Sequence, residues 1–211
     1  MTRFSIPWVM IVLAACGSPS SPESPEPEVA PPARLAPPED GSLDEASLFH
    51  LEAALEDQAE RPFSLRTLAG HPILLTFFYS SCDTMCPLIL TDVRGIEAAL
   101  SESARAELRV VVISFDGSRD TAARLSHVAE ERSLPMDRWT LVRGPDTEVR
   151  TVAATLGMSY RRVGEGEFAH AALFTLLDQE GRVVLQSEGV GRDPAPFVLA
   201  VESLVSADPA L

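Results

Sequence analysis

Two cysteines, Cys82 and Cys86, are separated by three residues and follow the apolar run 73–79. Thiolates are both nucleophiles and soft metal ligands, so this pair can form a disulfide, exchange disulfides or bind a soft ion such as Cu(I) or Zn(II). The Cys-x-x-x-Cys loop is one residue longer than the redox spacing Cys-x-x-Cys, which lets its sulfurs open around a metal. An iron–sulfur cluster would need four cysteines, and the chain contains 3. A bound metal therefore needs a ligand other than cysteine.

The chain contains 4 histidines that could provide this ligand. His71 precedes the apolar run, at the opposite end from the cysteines, and is expected to be a surface residue. His127 lies among polar residues of a predicted helix, and His50 has no evident link to the cysteines. His170 ends a glycine-containing turn and opens the apolar strand 171–177, where a loop could fold over the cysteines. Its position alone does not make it a ligand.

Apolar runs of strand length alternate with segments of helical spacing along the chain. The predicted strands are 48–55, 61–65, 73–79, 108–115, 139–142, 173–178 and 183–186, and the predicted helices are a segment from Pro87 to residue 100, 121–131, 147–156 and 194–205. The first two strands form an N-terminal β-hairpin, and the last two form a second hairpin. This order predicts an α/β fold with a central mixed β-sheet flanked by helices.

The cysteines are predicted to meet the sheet at the start of a helix. Pro87 suits the first helical position, which places Cys86 at or near the N-cap. There the backbone N–H groups and the helix dipole favour the thiolate of Cys86. Met85 could offer a weak thioether, but we expect it to pack as an ordinary apolar residue.

The N-terminus has the layout of a secretory signal peptide, with a positive start, about a dozen mostly apolar residues and then small ones. The apolar stretch is shorter than the roughly 20 residues of a membrane-spanning helix. It ends at Cys16 in a pattern that resembles the bacterial lipobox; the alternative is an ordinary cleavage site with an incidental cysteine. We therefore predict a signal peptide over residues 1–15, a tether over 16–41 that begins with acylated Cys16, and a folded domain over 42–211.

The tether is rich in proline, serine and glutamate and has too few apolar residues to form a core. This organisation predicts a protein of the bacterial cell envelope, anchored to a membrane by lipid and facing the periplasm. It leaves open whether the inner or the outer membrane holds the anchor.

The charge of the chain argues against one class of partner. Its 211 residues include 31 acidic and 17 basic residues, for a formal net charge of −14. A nucleic-acid interface needs a basic patch that neutralises phosphates, so nucleic-acid binding is not expected. With 45% hydrophobic residues, the domain can bury a full core without disulfides.

The chain resembles the Sco/SenC family of copper proteins through a combination of three stretches. They are residues 78–82 with Cys86 and Pro87, residues 114–121, and His170 with the later segment 177–182. The resemblance covers about residues 47–206 and implies a thioredoxin-like fold. It implies that Cys82, Cys86 and His170 bind copper, as Cu(I) or Cu(II). It also implies a client, an oxidase subunit with a dinuclear copper centre, together with a copper donor and a thiol reductant.

Asp116 and Ala171 lie close in sequence to residues that carry this resemblance. Asp116 matches the family's aspartate after the second buried strand, which implies that it orients a ligand. The alternative is a turn residue that prepares the helix cap at residues 120–121. Ala171 follows the histidine where serine or threonine is usual, a difference that can alter the hydrogen bonding of His170.

The leading hypothesis is a membrane-tethered metallochaperone that helps to assemble the copper centre of a respiratory oxidase, rather than an enzyme with turnover. One alternative is a thiol–disulfide oxidoreductase in which Cys82 and Cys86 cycle on the cysteines of a cupro-protein client while His170 only tunes a pKa. Another is a copper or redox sensor. A purely structural disulfide is the weakest reading, because the loop it would close is too small to stabilise the domain much.

Overall fold

The structure is a computed structural model that describes residues 46–164 and 166–207. The predicted signal peptide, the acylation site Cys16 and the tether lie outside the described residues, so they remain predictions. Within the described part of the chain, no helix is both long and apolar enough to cross a membrane.

One mixed sheet forms the centre of the domain. Its strands are β1 Leu55–Asp57, β2 Pro62–Phe63, β3 Ile73–Phe78, β4 Arg109–Ser114, β5 Trp139–Arg143, β8 Leu173–Leu177 and β9 Val183–Glu188, while β6 Tyr160–Gly164 and β7 Glu167–His170 form a separate antiparallel pair. The order across the large sheet is β2-β1-β5-β4-β3-β8-β9. Strands β3, β4 and β5 run parallel, and the outer strands pair antiparallel to their neighbours.

Strand β3 is buried along its whole length, because it lies between β4 and β8 in the middle of the sheet. This explains its nearly continuous apolar sequence, which lacks the alternation of a half-exposed strand. Its polar residue, Thr76, donates a hydrogen bond from Oγ1 to the carbonyl of Leu173 at 2.8 Å, so the buried hydroxyl is satisfied. The predicted central strand is confirmed.

The helices pack on this sheet. They are α1 Met85–Ala99, α2 Glu102–Glu107, α3 Ala122–Glu131, α4 Asp146–Thr155 and α5 Ala195–Ser206. Helix α1 buries Ile89, Val93 and Ile96, which recur at helical spacing. The short helix α2 was not predicted from the sequence; the Ser101 hydroxyl caps it by accepting a hydrogen bond from the N–H of Ala104 at 3.2 Å.

The N-terminal hairpin exists, but the prediction of its first strand was wrong: β1 shares only Leu55 with the predicted strand 48–55, and β2 is shorter than the predicted strand 61–65. Residues Leu48–His50 and Leu65–Leu68 form short 3-10 helices, and the paired segments are only β1 and β2. Serine side chains explain the difference: Ser47 Oγ accepts from the N–H of Phe49, and Ser64 Oγ accepts from Arg66. Each hydroxyl gives the backbone a local turn instead of an extended pairing.

Candidate metal centre

Sheet topology explains why two distant parts of the sequence meet. Strand β3 ends at Phe78, and its antiparallel neighbour β8 begins at Leu173. The end of one strand and the start of the other therefore lie at the same edge of the sheet. The cysteines follow β3 and His170 shortly precedes β8, so the chain delivers them to one edge.

The two cysteines lie where this edge meets α1. Thr84 is the N-cap residue of α1, Met85 is its first residue and Cys86 its second. The N–H of Cys86 donates to Cys82 Sγ at 3.4 Å, so the Cys82 sulfur occupies the place of a capping acceptor at the helix N-terminus. Pro87 is the third helical residue rather than the first, a shift of two positions from the prediction.

Tyr79 contacts both cysteines. Its backbone N–H donates to Cys86 Sγ at 3.4 Å, and its hydroxyl is hydrogen-bonded to the Cys82 sulfur. Burial and this hydrogen bond raise the pKa of Tyr79 to about 12, so its hydroxyl remains a proton donor at neutral pH. The last residue before the loop thus fixes both sulfurs from the strand side.

The two thiols differ in acidity, and in the opposite sense to the one predicted. Burial by itself raises the pKa of Cys82, but hydrogen bonds from the backbone of Cys86 and Thr84 outweigh it and lower the pKa to about 7. Burial raises the pKa of Cys86 well above its usual value, and the neighbouring Cys82 and Asp120 add to that rise. The prediction that Cys86 carries the favoured thiolate is therefore wrong, because the helix donors point at Cys82.

His170 lies on the small β6–β7 sheet. It is the last residue of β7, where it pairs with Tyr160 of β6, rather than the first residue of the following strand as predicted. Its ring packs against those of Phe115 and Tyr79, with centroid distances of 4.6 and 6.1 Å. Aromatic contacts therefore place the imidazole beside the residue that holds both cysteines.

The hydrogen bonding of His170 fixes its tautomer. Nδ1 lies 2.8 Å from the backbone carbonyl of Ala171, which can only accept, so Nδ1 carries the proton and Nε2 keeps a free lone pair. Burial lowers the pKa of His170, and the hydrogen bond to Ala171 opposes this only in part. The ring is thus neutral near pH 7, the form in which histidine binds metals.

The structure brings the two cysteines together, and both are free thiols. It does not bring His170 to bonding distance of the same point, since no three His, Cys, Asp or Glu side chains within residues 46–164 and 166–207 cluster closely enough to hold a metal ion. The ligand set of Cys82, Cys86 and His170 therefore stays a prediction. The structure places the two cysteine sulfurs together and the imidazole of His170 near them.

Asp116 is buried, and its carboxylate pairs with Arg119 and accepts a hydrogen bond from the Ser118 hydroxyl at 3.0 Å. Its backbone carbonyl accepts from the N–H groups of Arg119 and Asp120, both at 2.9 Å. These contacts belong to a turn before α3, as the turn interpretation predicts. The carboxylate also lies 3.6 Å from the guanidinium of Arg162 on β6, so Asp116 contacts the hairpin that carries His170 as well.

Sequence reasoning missed a second buried carboxylate, Asp120. It accepts hydrogen bonds from the backbone N–H and hydroxyl of Ser80 and from the hydroxyl of Ser114. Ser80 lies two residues before Cys82, so Asp120 ties the cysteine loop to the end of β4. The sequence contains a signal for this contact, because Ser80 in the cysteine loop and Asp120 before α3 each follow a buried strand.

The remaining histidines lie elsewhere. His71 contacts Glu107 at 3.0 Å and Arg109 at 3.2 Å, at the end of β3 opposite the cysteines. His127 is exposed on α3, as predicted, and His50 is exposed at the last position of the first 3-10 helix. None of these three is placed with the sulfur pair.

Comparison with known proteins gives the family. The SCO1/SenC family model matches residues 43–206, and the chain belongs to this family. It is 23% identical over 148 residues to a SCO1 protein homolog of Bacillus subtilis (strain 168), a match that covers 69% of this chain and 76% of that protein.

Solved structures agree on the fold. BsSco, a member of the Sco family of cytochrome c oxidase assembly proteins with a disulfide switch, is similar with a TM-score of 0.66 and 21% identity, over 76% of this chain and 95% of that one. Copper-bound ScoI of Bradyrhizobium japonicum is similar with a TM-score of 0.61 and 22% identity, over 72% of this chain and 96% of that one. The predicted thioredoxin-like α/β fold with a central mixed sheet is confirmed.

Proposed function

We propose that this protein binds copper through Cys82, Cys86 and His170 and serves as a metallochaperone in the assembly of a cupro-enzyme. The observation that carries the proposal is the sulfur pair at the N-terminus of α1, where the N–H of Cys86 donates to the Cys82 sulfur and the N–H of Tyr79 donates to the Cys86 sulfur. Membership of the SCO1/SenC family supports it, as does the copper-bound state of the similar ScoI of Bradyrhizobium japonicum.

The donor set fits copper. Two thiolates are soft ligands that favour Cu(I), and a neutral imidazole with Nε2 available extends the site to Cu(II). Binding releases the thiol protons, and the low pKa of Cys82 reduces the free-energy cost of that release near neutral pH. Copper here is cargo, and the role of the chain is to hold it until a client takes it.

We extend the proposal to the client and the location. The similar BsSco belongs to a family of cytochrome c oxidase assembly proteins, which supports an oxidase subunit with a dinuclear copper centre as client. A copper donor and a thiol reductant are the other partners such a role needs. The proposed location is the bacterial cell envelope, with lipid on Cys16 as the membrane anchor.

Copper titration of the reduced full-length chain tests the proposed function. We expect one tightly held copper per chain and, with Cu(II), a strong sulfur-to-copper charge-transfer absorption that sites with only nitrogen and oxygen ligands lack. Cys86→Ser should abolish that absorption, because a hydroxyl cannot replace a polarisable thiolate. A parent chain that binds no copper, or a Cys86→Ser chain with an unchanged spectrum, would refute the proposal.

A thiol–disulfide oxidoreductase is the second candidate, and the contact between the two free thiols favours it. The Cys82 thiolate would attack a client disulfide, and Cys86 would displace the client thiol as the chain's own disulfide forms; an external thiol reductant would then restore both cysteines. Such exchange does not need His170. Full reductase activity of His170→Ala, together with full support of oxidase assembly, would favour this candidate over copper delivery.

The anchor has its own test. Cys16→Ser should move the protein from the membrane fraction to the soluble fraction, while urea unfolding of the domain stays unchanged because the predicted tether contributes no core contacts. Continued membrane association of Cys16→Ser would show that lipid on Cys16 is not the anchor.

A further inference from the structure

The β6–β7 hairpin is attached to the rest of the domain by aromatic rings along its strands. The rings of Tyr160, Phe168 and His170 pack on Phe115, with centroid distances of 4.8, 5.0 and 4.6 Å. The turn between the two strands has the sequence Gly-Glu-Gly-Glu over residues 164–167, which offers no ring for such packing. A different kind of contact is needed to hold the turn.

Arg119 makes that contact. Its Nη2 donates a hydrogen bond to the backbone carbonyl of Gly166 at 2.8 Å. The guanidinium packs directly on this glycine, since a Cβ at position 166 would overlap with Nη1 of Arg119. The same guanidinium pairs with the carboxylate of Asp116, which is only 1% exposed. One side chain therefore connects the hairpin turn to a buried anion just after β4.

The pair with Asp116 fixes the direction of the guanidinium. The backbone N–H of Arg119 also donates to the carbonyl of Asp116 at 2.9 Å, so both ends of the arginine are held in the turn before α3. A guanidinium is planar and presents its N–H donors in a rigid fork, so bonds to one acceptor set the direction of the remaining donors. Arg119 thus offers the hairpin turn a donor at a fixed place.

Strand geometry makes this contact a constraint on His170. Gly166 and His170 lie on opposite sides of Phe168 in the chain, each two residues or roughly 7 Å away along an extended backbone. The ring of Phe168 is packed against Tyr79 and Phe115, so this residue is a pivot of the hairpin. A displacement of the turn about the pivot moves His170 in the opposite direction. Holding Gly166 therefore also holds the imidazole.

We propose that Arg119 is a positioning residue for copper binding: it clamps the hairpin turn at Gly166 and thereby sets the position of the His170 imidazole. The inference rests on the proposed role of His170 as a copper ligand and extends it to a residue of the turn before α3. Residues that orient metal ligands from outside the ligand set change metal affinity by about 10- to 100-fold when they are lost.

The alternative is an ordinary ion pair that stabilises only the turn before α3. The side chain of Arg119 is 39% exposed, and ion pairs that are open to solvent add little to stability. The hydrogen bond to Gly166 separates the two roles, because it reaches a residue 47 positions further along the chain. An ion pair that served only residues 116–119 would not affect the hairpin.

Arg119→Gln tests the proposal, since glutamine lacks the forked guanidinium and is too short to bridge Asp116 and Gly166. Arg61→Gln is the matched control, because Arg61 also pairs with a buried aspartate, Asp57, at 2.7 Å in the turn of the β1–β2 hairpin. Both variants remove one positive charge and one such pair. Amide hydrogen exchange of the metal-free, reduced full-length chain, urea unfolding and Cu(II) titration are measured for both.

The first expected result needs no copper. Arg119→Gln should speed amide hydrogen exchange in β6 and β7 by at least about tenfold, because local opening of the hairpin becomes easier, and it should leave exchange in β3 and α1 unchanged. Arg61→Gln should leave exchange in the β6–β7 hairpin as in the parent. The two variants should unfold at similar urea concentrations.

The second expected result concerns Cu(II). Arg119→Gln should weaken Cu(II) binding by about tenfold and shift the sulfur-to-copper absorption toward that of His170→Ala. Added to His170→Ala, it should change the affinity by less than about twofold, because no imidazole is left to position. Asp116→Asn should keep the clamp, since its amide oxygen can still accept from Arg119.

The outcomes that would overturn the inference are distinguishable. Unchanged hydrogen exchange of the hairpin in Arg119→Gln would refute the clamp, whether or not the chain binds copper. Faster exchange with the Cu(II) affinity and spectrum of the parent would refute the positioning role and leave the proposed function intact. An equal loss of affinity with and without His170 would show that Arg119 acts on the fold as a whole. A parent chain that binds no copper would refute the proposed function, while hydrogen exchange would still decide whether the clamp exists.

Discussion

The two parts of the candidate site are built in different ways. The sulfur part, the loop after β3 and the first turn of α1, joins a fully buried strand to a long helix, and backbone hydrogen bonds from Tyr79 and Cys86 hold its sulfurs. The imidazole part, the β6–β7 hairpin, is a two-stranded sheet separate from the seven-stranded one. Rings of Phe115, Phe168 and Tyr79 pack it against the rest of the domain.

This difference explains how one site can bind copper in two oxidation states. Backbone donors are present whatever the side chains, so the sulfur part is preorganised for a metal. The imidazole part depends on side-chain packing, and an isolated hairpin is only marginally stable without it. We therefore expect changes in the ring contacts to affect Cu(II) binding, which uses His170, far more than Cu(I) binding.

The largest expected effect concerns the sulfur part, through the unequal acidity of its thiols. At pH 7 Cys82, with a pKa of about 7, is about half thiolate, whereas Cys86, with its pKa raised by burial, is almost entirely thiol. Because the thiolate is the reactive form, iodoacetamide should modify Cys82 at least about 50-fold faster than Cys86.

The pH dependence gives the sign of this effect. The rate of Cys82 modification in the metal-free, reduced chain should rise with pH, reach half of its maximum near pH 7 and level off about one to two pH units higher, as the thiolate fraction saturates. Peptide mapping by mass spectrometry assigns the modified residue. Faster modification of Cys86 would show that the helix donors act on the other thiol.

The next effect concerns the imidazole part. Phe168→Ala removes the ring that packs on Tyr79 and Phe115, with centroid distances of 5.1 and 5.0 Å, and should cost about 3 kcal/mol of unfolding free energy. Cu(II) affinity should fall by about tenfold or more, because the hairpin no longer holds His170 in place. Cu(I) affinity should stay within about threefold of the parent.

Phe197→Ala is the matched control for this change. Phe197 is similarly buried, in α5, and its ring contact is with Phe174 at a centroid distance of 6.5 Å. It should destabilise the domain by a similar amount and leave Cu(II) affinity unchanged. If Phe197→Ala weakened Cu(II) binding as much as Phe168→Ala, general stability rather than the hairpin would control the site.

The smallest expected effect separates the two buried aspartates. Asp116→Asn should change copper affinity by less than about threefold, because its short contacts are with the turn residues Ser118 and Arg119 and its pair with the exposed Arg162 of the hairpin is longer and weak. Asp120→Asn should weaken binding by about tenfold, since it loosens Ser80 and the loop that carries Cys82. The reverse order, measured by the same copper competition, would restore Asp116 as the residue that orients a ligand.

Local sequence was enough for the elements that dominate the fold. The apolar run of β3 and the helical spacing in α1 both report burial directly, and the structure has both where they were predicted. The predicted start of α1 was two residues too late. The N–H groups of the whole first turn of a helix lack helical partners, so proline fits the third position of a helix as well as the first.

Features that depend on distant contacts could not be predicted in the same way. Strand β7 follows a glycine turn and is only four residues long. Its Phe168 packs against the rings of Tyr79 and Phe115, which follow β3 and β4 and are far from β7 in the sequence. The acidity order of the thiols depends on how deeply Cys86 is buried, which spacing does not reveal. The resemblance, rather than spacing, singled out His170.

The most direct test of the central claim is Cu(II) titration of His170→Ala beside His127→Ala and the parent, followed by sulfur-to-copper charge-transfer absorption. The account predicts that His127→Ala matches the parent, because the His127 side chain is exposed on α3 and does not form a metal-binding cluster with Cys82 and Cys86. His170→Ala should keep both sulfurs but bind Cu(II) about 10- to 100-fold more weakly, with a shifted band. A His170→Ala chain with the affinity and spectrum of the parent would contradict the assignment of His170 as the third ligand.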